Sequence, residues 1–202
     1  MAENTREIYH RMKNHLSMVA SLINLQKAHL TNKEAIESLE KLRIRVQSIA
    51  LVHQNLYKGQ DPGCLNMADF IRDLLHSMRF ALGLSREGIK IKVDADDFCT
   101  DIDTSFPLSL IITELVSNAL RYSRNGSDGT VSLVLKKETE NQLVFSISNT
   151  GPPIPDNIDL DNPNTFGLQL VKGLTEQLEG EIHLKDRKSS AIEVRIPLNP
   201  VS

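Results

Sequence analysis

A histidine surrounded by basic residues stands near the start of the chain, where residues 10–14 read His-Arg-Met-Lys-Asn. A neutral imidazole nitrogen is a nucleophile that can attack phosphorus, and neighbouring basic side chains offset phosphate charge. On a helix His10 shares a polar stripe with Asn14 and Ser17, so we expect its imidazole to face solvent. Surface histidines are common, and a histidine without a chemical role is the alternative interpretation.

A second group of polar residues lies on an apolar helical segment. Glu114, Asn118 and Arg121 are four and three residues apart and therefore share one helical face. They provide an acceptor, a neutral oxygen ligand and a cation in a line. Hard oxygen ligands suit Mg²⁺ that is carried by phosphates. A solvent-facing polar stripe without a ligand is the alternative interpretation.

Two glycines complete the candidate chemistry. Gly151 comes shortly after the strand-like segment 142–148, and Gly167 stands at the start of a helical segment. A glycine after a strand lets the backbone approach a flat ligand closely, and a glycine that opens a helix leaves free N–H groups for phosphate. The alternative interpretation is that Gly151 belongs to an ordinary turn and Gly167 to an ordinary helix start, with no ligand at either, and it explains each segment equally well.

The elements that must position these residues fall into two units. Apolar periodicity predicts helices at 5–29 and 36–57, joined by a turn and cap at Thr31 and Asn32. The glycine- and proline-containing segment 58–63 is the candidate linker. Asn66 can cap the next helix. We predict further helices at 66–82, 104–122 and 167–178 and strands at 89–93, 130–136, 142–148, 181–184 and 191–196. This order favours a mixed sheet covered on one face.

The helical hairpin predicts a homodimer. Its second helix has an apolar seam in alternating three and four spacing, formed by residues 39, 42, 46, 49, 53 and 56. His53 lies on this seam, where a packed or capped core histidine is expected. Two amphipathic helices alone bury too little surface to be stable, so we expect a four-helix bundle with a second copy.

Composition narrows the function classes. The chain has 202 residues, 40% hydrophobic content and a net charge of −3, which argues against a nucleic-acid partner. Residues 1–60 carry nine Lys or Arg against five Glu, so this unit is either a surface for an acidic partner or an ordinary solvated surface. Cys64 and Cys99 lack the spacing of a metal knuckle or a disulfide framework, so we expect a reducing, cytoplasmic setting. No apolar stretch is long enough to span a membrane, and no direct membrane contact is expected.

Five sequence blocks occur in a recognisable order: His-Arg-x-Lys-Asn, Leu-Val-His-x-x-Leu-Tyr, Glu-Leu-Val-x-Asn-Ala-Leu-Arg, Asn-x-Gly-x-x-Ile-Pro and Phe-Gly-Leu-Gln-Leu-Val. Together they resemble the bacterial-type sensor histidine kinases over nearly the whole chain. More narrowly, they resemble the subgroup related to the HWE kinases, whose dimerization helix carries His-Arg-x-Lys-Asn.

The resemblance implies an α+β chain with two domains. Residues 1–60 would be the dimerization and phosphoacceptor hairpin, and residues 64–202 the α/β sandwich ATP-binding domain of the gyrase, Hsp90, histidine kinase and MutL type. It implies a reaction in which His10 is phosphorylated from ATP and passes the group to an Asp of a response-regulator receiver domain. In the nucleotide site, the resemblance implies that Asn118 is the Mg²⁺ ligand and that Glu114 is the polar partner of Asn118. Arg121 would be the base that faces the phosphates. Gly151 would be the glycine on the adenine side of the site and Gly167 the glycine on its phosphate side.

Two residues depart from the family pattern Asp-x-Gly-x-Gly. Asn149 replaces the adenine-reading carboxylate, and Pro153 replaces the second glycine. An amide can still pair with adenine, so we expect weakened nucleotide binding. These departures favour a second hypothesis, a histidine phosphotransferase with a degenerate nucleotide domain, whereas the intact Glu114, Asn118 and Arg121 favour the kinase. A dimeric scaffold without enzyme activity is the third hypothesis.

Overall fold

The computed structural model describes most of the chain. The backbone is described for residues 2–56, 64–81, 88–123 and 129–198. Side chains are described within the same ranges, except at residues 2–10, 80 and 81. Within these ranges no helix combines the length and the apolar character needed to cross a membrane.

The chain begins with the predicted helical hairpin. Helix α1 spans Ala2–Ala28 and helix α2 spans Lys33–Asn55. The Asn32 side chain accepts a hydrogen bond from the backbone N–H of Ala35 at 3.0 Å, which confirms the predicted N-cap of α2. Near the turn, the Lys27 ammonium lies 2.5 Å from the Glu40 carboxylate and links the two antiparallel helices.

The second unit contains the predicted helices and strands together with two very short strands. Its helices are α3 at Met67–Ala81, α4 at Ile102–Ser123 and α5 at Phe166–Gln177. Its short strands are β1 at Leu65–Asn66 and β3 at Cys99–Thr100. Its longer strands are β2 at Lys90–Ala95, β4 at Thr130–Thr139, β5 at Gln142–Asn149, β6 at Glu181–Asp186 and β7 at Ala191–Pro197.

The five longer strands form one mixed sheet in the order β2-β4-β5-β7-β6. Strand β2 runs parallel to β4, and the other neighbours are antiparallel. Alternate residues of β4 and β5 are buried: Val131, Leu133, Leu135, Leu143, Phe145 and Ile147. Since α4 packs on this side of the sheet and is buried along most of its length, it lies at the centre of the second unit. Its few polar side chains are therefore held in place from several directions.

Helix α2 packs against α4 as well as against α1. Its most buried side chains recur every four residues and are Ile44, Ser48, Val52 and Leu56. The hydroxyl oxygens of Ser48 and Thr113, on α4, are hydrogen-bonded at 2.7 Å. Leu42, a residue of the predicted seam, is 42% exposed in the single chain, where the buried stripe of α2 faces α4. His53 and Leu56 are buried as predicted.

The start of the second unit contains a disulfide that the sequence did not indicate. Strands β1 and β3 pair antiparallel, and the sulfurs of Cys64 and Cys99 are bonded across this pair. The spacing of the two cysteines did not indicate this bond, because chain folding brings together residues that are 35 positions apart. The predicted cap is confirmed, since the Asn66 side chain accepts from the Asp69 backbone N–H at 3.0 Å.

Candidate functional site

One side of α4 connects the two glycines singled out in the sequence. A carbon built as Cβ on Gly167 would lie 2.7 Å from the Oε2 atom of Glu114, so α5 begins directly beside that carboxylate. A Cβ on Gly151 would lie 2.6 Å from the carbonyl oxygen of Tyr122. Glu114 and Tyr122 are eight residues apart on α4, or about 12 Å at 1.5 Å per residue. The structure thus assembles an elongated site with a glycine at each end.

Asn149 forms the floor of the Gly151 end. It is the last residue of β5, its side chain is 6% exposed, and its backbone N–H donates to the Ser189 carbonyl at 3.1 Å. The Nδ2 atom is buried and has no hydrogen-bond partner among the described residues. A buried donor without a partner is costly, so this amide is suited to a ligand that supplies an acceptor. The position fits the base-reading role that the family resemblance implies.

The Gly167 end has the features of a phosphate site. Gly167 is the second residue of α5, and the N-cap residue Thr165 makes no side-chain cap hydrogen bond. The N–H groups in the first turn of a helix point outward and favour anions. A side chain at Gly167 would displace the Glu114 carboxylate, so glycine at this position leaves that carboxylate in place beside the start of α5. This end of the site can therefore hold the phosphates of a nucleotide.

The middle of the site is polar and basic. Asn118 and Arg121 are partly buried on α4, one and two turns after Glu114. Burial and the nearby charge of Arg121 lower the pKa of Lys41, which reaches this region from α2. These basic groups lie around the Glu114 carboxylate, an arrangement that favours a polyphosphate with its cation.

An arginine from the hairpin is part of the site, although no pattern in the sequence indicates it. The guanidinium of Arg45 donates to both carboxylate oxygens of Glu114, from Nε at 2.6 Å and from Nη2 at 2.9 Å. Its central carbon lies 4.8 Å from the centre of the Phe166 ring. Arg45 and Glu114 are 69 positions apart, and no local spacing signals such a pair.

The loop between β5 and α5 is held by the turn between β6 and β7. Arg187 donates to the carbonyl oxygens of Pro155 at 2.7 Å and of Ile158 at 3.2 Å. The Ile154 backbone N–H donates back to the Arg187 carbonyl at 3.0 Å. These bonds fix the loop on the side of the site next to Gly151.

The predicted phosphoacceptor lies on α1, outside the second unit. His10 belongs to α1 by its backbone, and its side chain lies outside the described part of the chain. Asn14 and Ser17, on the same polar stripe, are exposed. His53 is buried and meets the Phe106 ring edge-on at 5.4 Å, and burial lowers its pKa. His53 is thus a packed core residue, as predicted.

Family profiles match both units of the chain. The profile described as histidine kinase matches residues 7–82. A second profile, described as the ATPase of the histidine kinase, DNA gyrase B and HSP90 type, matches residues 103–200. The chain belongs to the histidine kinases. The sequence resemblance to this family is therefore confirmed, and so is the α/β sandwich of the second unit.

Several individual histidine kinases are similar along almost the whole chain. The sensor histidine kinase PdtaS of Mycobacterium tuberculosis is 32% identical over 197 residues, which are 96% of this chain and 39% of that protein. Blue-light-activated histidine kinase 2 of Erythrobacter litoralis is 26% identical over 200 residues, 96% of this chain and 56% of that protein. The chain thus spans about two-fifths to just over half of these relatives.

A solved histidine kinase domain has the same fold. The domain from the Erythrobacter litoralis EL346 blue-light activated histidine kinase superimposes with a TM-score of 0.71 at 24% identity. The alignment covers 98% of this chain and 94% of that one. The likeness therefore includes the hairpin as well as the ATPase-type unit.

Proposed function

We propose that this histidine kinase chain binds ATP with Mg²⁺ in residues 64–202, phosphorylates His10 on the hairpin of residues 1–60, and transfers the phosphoryl group to an Asp of a response-regulator receiver domain. The observation that carries the proposal is the buried, unpartnered amide of Asn149 at one end of a site whose other end is the Gly167 helix start. A base that offers an acceptor would satisfy this amide.

Each site residue has a defined task in the proposed reaction. A neutral ring nitrogen of His10 attacks the γ-phosphorus, the bond from this phosphorus to the bridging oxygen breaks and ADP leaves, and the proton on the other ring nitrogen is released to solvent. Asn118 would hold Mg²⁺, which supplies charge neutralisation on the phosphates. Arg121 would face the phosphates, and the first N–H groups of α5 would hold them in line.

The second candidate is a phosphotransferase that relays phosphoryl groups through His10 without ATP. Two observations favour it. Asn149 provides no carboxylate for the adenine amino group, and Pro153 places a residue without an N–H in a loop that Arg187 already holds. Such a relay has no use for Asn118 or for the Gly167 helix start, and this difference separates the two candidates.

Calorimetric titration with ATP in the presence and absence of Mg²⁺ distinguishes these candidates. The kinase proposal expects binding that Mg²⁺ strengthens, and it expects Asn118→Ala to lose most of the Mg²⁺ effect because the oxygen ligand is gone. Asn141→Ala, in the exposed turn between β4 and β5, is the control and should bind as the wild type does. Absence of ATP binding by the wild type would contradict the kinase proposal and support the relay.

We also infer that the chain forms a homodimer through α1. Three large apolar side chains on one stripe of this helix are exposed in the single chain: Met18 at 61%, Leu22 at 59% and Leu25 at 62%. They recur at helical spacing, as the residues of a helix–helix seam do. A second copy would cover this stripe in the four-helix bundle that the sequence predicts.

Leu22→Glu is expected to convert the dimer into a folded monomer. A charged side chain buried without a partner in the seam costs several kcal/mol in each copy. Sedimentation equilibrium at micromolar concentration should give twice 22.6 kDa for the wild type and 22.6 kDa for the variant. Asn24→Glu, an exposed position on another side of α1, should remain dimeric. A monomeric wild type would show that the dimer inference is wrong.

A further inference from the structure

Arg45 fastens the hairpin to the candidate nucleotide site. Its forked pair with Glu114 leaves the two side chains only 14% and 7% exposed. The same guanidinium packs on Phe166, the first residue of α5. A bidentate pair with little access to water is stronger than a surface ion pair. One side chain of α2 therefore contacts both α4 and α5 where the phosphates would lie.

This contact holds the phosphate end far from His10. The Lys27–Glu40 pair shows that residue 27 of α1 lies opposite residue 40 of α2. Because the two helices are antiparallel, Arg45 lies opposite about Leu22 along the bundle. His10 is a further twelve residues along α1, which is about 18 Å at 1.5 Å per residue. Reacting atoms must approach to about 3–3.5 Å. In a dimer whose two-fold axis runs along the bundle, the second copy has its histidine at the same position along the axis. The phosphate end of the site is therefore too far from the histidine of either copy.

The interface between α2 and the second unit changes character along its length. Val52 and Leu56, near the end of α2, are fully buried. The hydroxyl pair of Ser48 and Thr113 follows, and the Arg45 ion pair lies farthest from Leu56. Separation of α2 from the second unit would expose the buried apolar side chains to water, which is unfavourable. An ion pair can instead exchange one charged partner for another. The Leu56 end is thus suited to be a pivot and the Arg45 end is suited to open.

Nucleotide binding would weaken this ion pair from both sides. A divalent cation held at Asn118 would repel the Arg45 guanidinium and compete with it for the Glu114 carboxylate. Phosphate oxygens beside Gly167 would offer the guanidinium a second anionic partner, which planar arginine forks bind well. Both effects favour release of Glu114 by Arg45.

We propose that Arg45 is a resting-state latch, which holds the nucleotide site against α2 and away from His10 until Mg²⁺ and ATP release it. The proposal rests on the proposed kinase function and adds to it a residue of the hairpin that controls when the site can reach the histidine. Arg45 acts through Glu114 and is a positioning residue.

The test uses Arg45→Met, which keeps the length of the side chain and removes the fork. At Mg²⁺ and ATP concentrations well below saturation, the initial rate of His10 phosphorylation should rise by roughly 10- to 100-fold, because the nucleotide no longer has to break a charged, hydrogen-bonded pair. Without nucleotide, hydrogen exchange should become faster at α2 amides 41–48 and change little at amides 50–55. Arg45→Lys, which keeps the charge without the fork, should fall between Arg45→Met and the wild type.

Arg43→Met is the matched control. Arg43 is an arginine of the same helix, and it pairs with Glu40 inside α2. Because this ion pair is not part of the latch, Arg43→Met should phosphorylate His10 at a rate within about two-fold of the wild type. The latch alone would be overturned if the wild type binds a non-hydrolysable ATP analogue but Arg45→Met phosphorylates His10 no faster than the wild type does. Unchanged hydrogen exchange in Arg45→Met would also overturn it. A wild type that neither binds the analogue nor becomes labelled would overturn the proposed kinase function and the latch with it.

Discussion

Replacement of His10 by glutamine is expected to abolish phosphorylation of the chain by ATP. A phosphoryl group on an imidazole nitrogen is acid-labile and base-stable, unlike the esters formed by serine or threonine. Incubation with γ-labelled ATP and Mg²⁺ should give such a label in the wild type and none in His10→Gln. The effect is complete because glutamine offers no nucleophilic ring nitrogen.

Two other histidines serve as controls for this experiment. His15→Gln changes an exposed histidine on the same helix, and His53→Gln changes a buried one on α2. Both variants should retain the label, provided that circular dichroism shows the hairpin intact. Label that persists in His10→Gln would show that the phosphoacceptor assignment is wrong.

Replacement of Asn149 by aspartate is expected to tighten ATP binding by up to about 30-fold, the equivalent of about 2 kcal/mol. The carboxylate would accept from the adenine amino group as a charged partner, whereas the present amide forms a neutral hydrogen bond. The wild-type amide also has a buried Nδ2 donor that no described residue satisfies. Calorimetry with ATP and Mg²⁺ measures the difference directly.

The same substitution should not improve GTP binding. Guanine presents a carbonyl oxygen where adenine presents an amino group, so a carboxylate would face another acceptor. The wild-type amide can turn either its oxygen or its nitrogen toward the base, so the wild type should discriminate poorly between ATP and GTP. Parallel titrations with both nucleotides test this reversal of preference.

Asn141→Asp provides the control for charge alone, because Asn141 is exposed in the turn at the opposite end of β5. It should leave both affinities unchanged. If Asn149→Asp also changes neither affinity, and Asn118→Ala has no effect on Mg²⁺-dependent binding, the nucleotide site is vestigial. The phosphotransferase would then become the favoured function.

Local sequence patterns were sufficient for most of the elements and for the two ends of the site. The caps at Asn32 and Asn66 depend on side-chain bonds to amides three residues away, so they are visible in a short stretch. Gly151 is recognisable as a glycine after a strand, where the backbone can approach closely, and Gly167 as a glycine that opens a helix. The periodicity of α4 likewise indicates its polar face, although it does not show what that face contacts.

The sequence by itself therefore determined the helical hairpin, the mixed sheet and the histidine kinase family, and it predicted candidate residues for the site on α4 and at the two glycines. Only the tertiary structure decided that α2 packs on α4, that Cys64 bonds to Cys99 and that Arg45 pairs with Glu114. The physical reason is how far apart along the sequence the interacting residues lie. Helix and strand periods and caps arise from interactions within a few residues, whereas the contacts of α2 join side chains that are 65 and 69 positions apart. Such pairs form only after the hairpin docks, and docking depends on the combined shape and burial of both units.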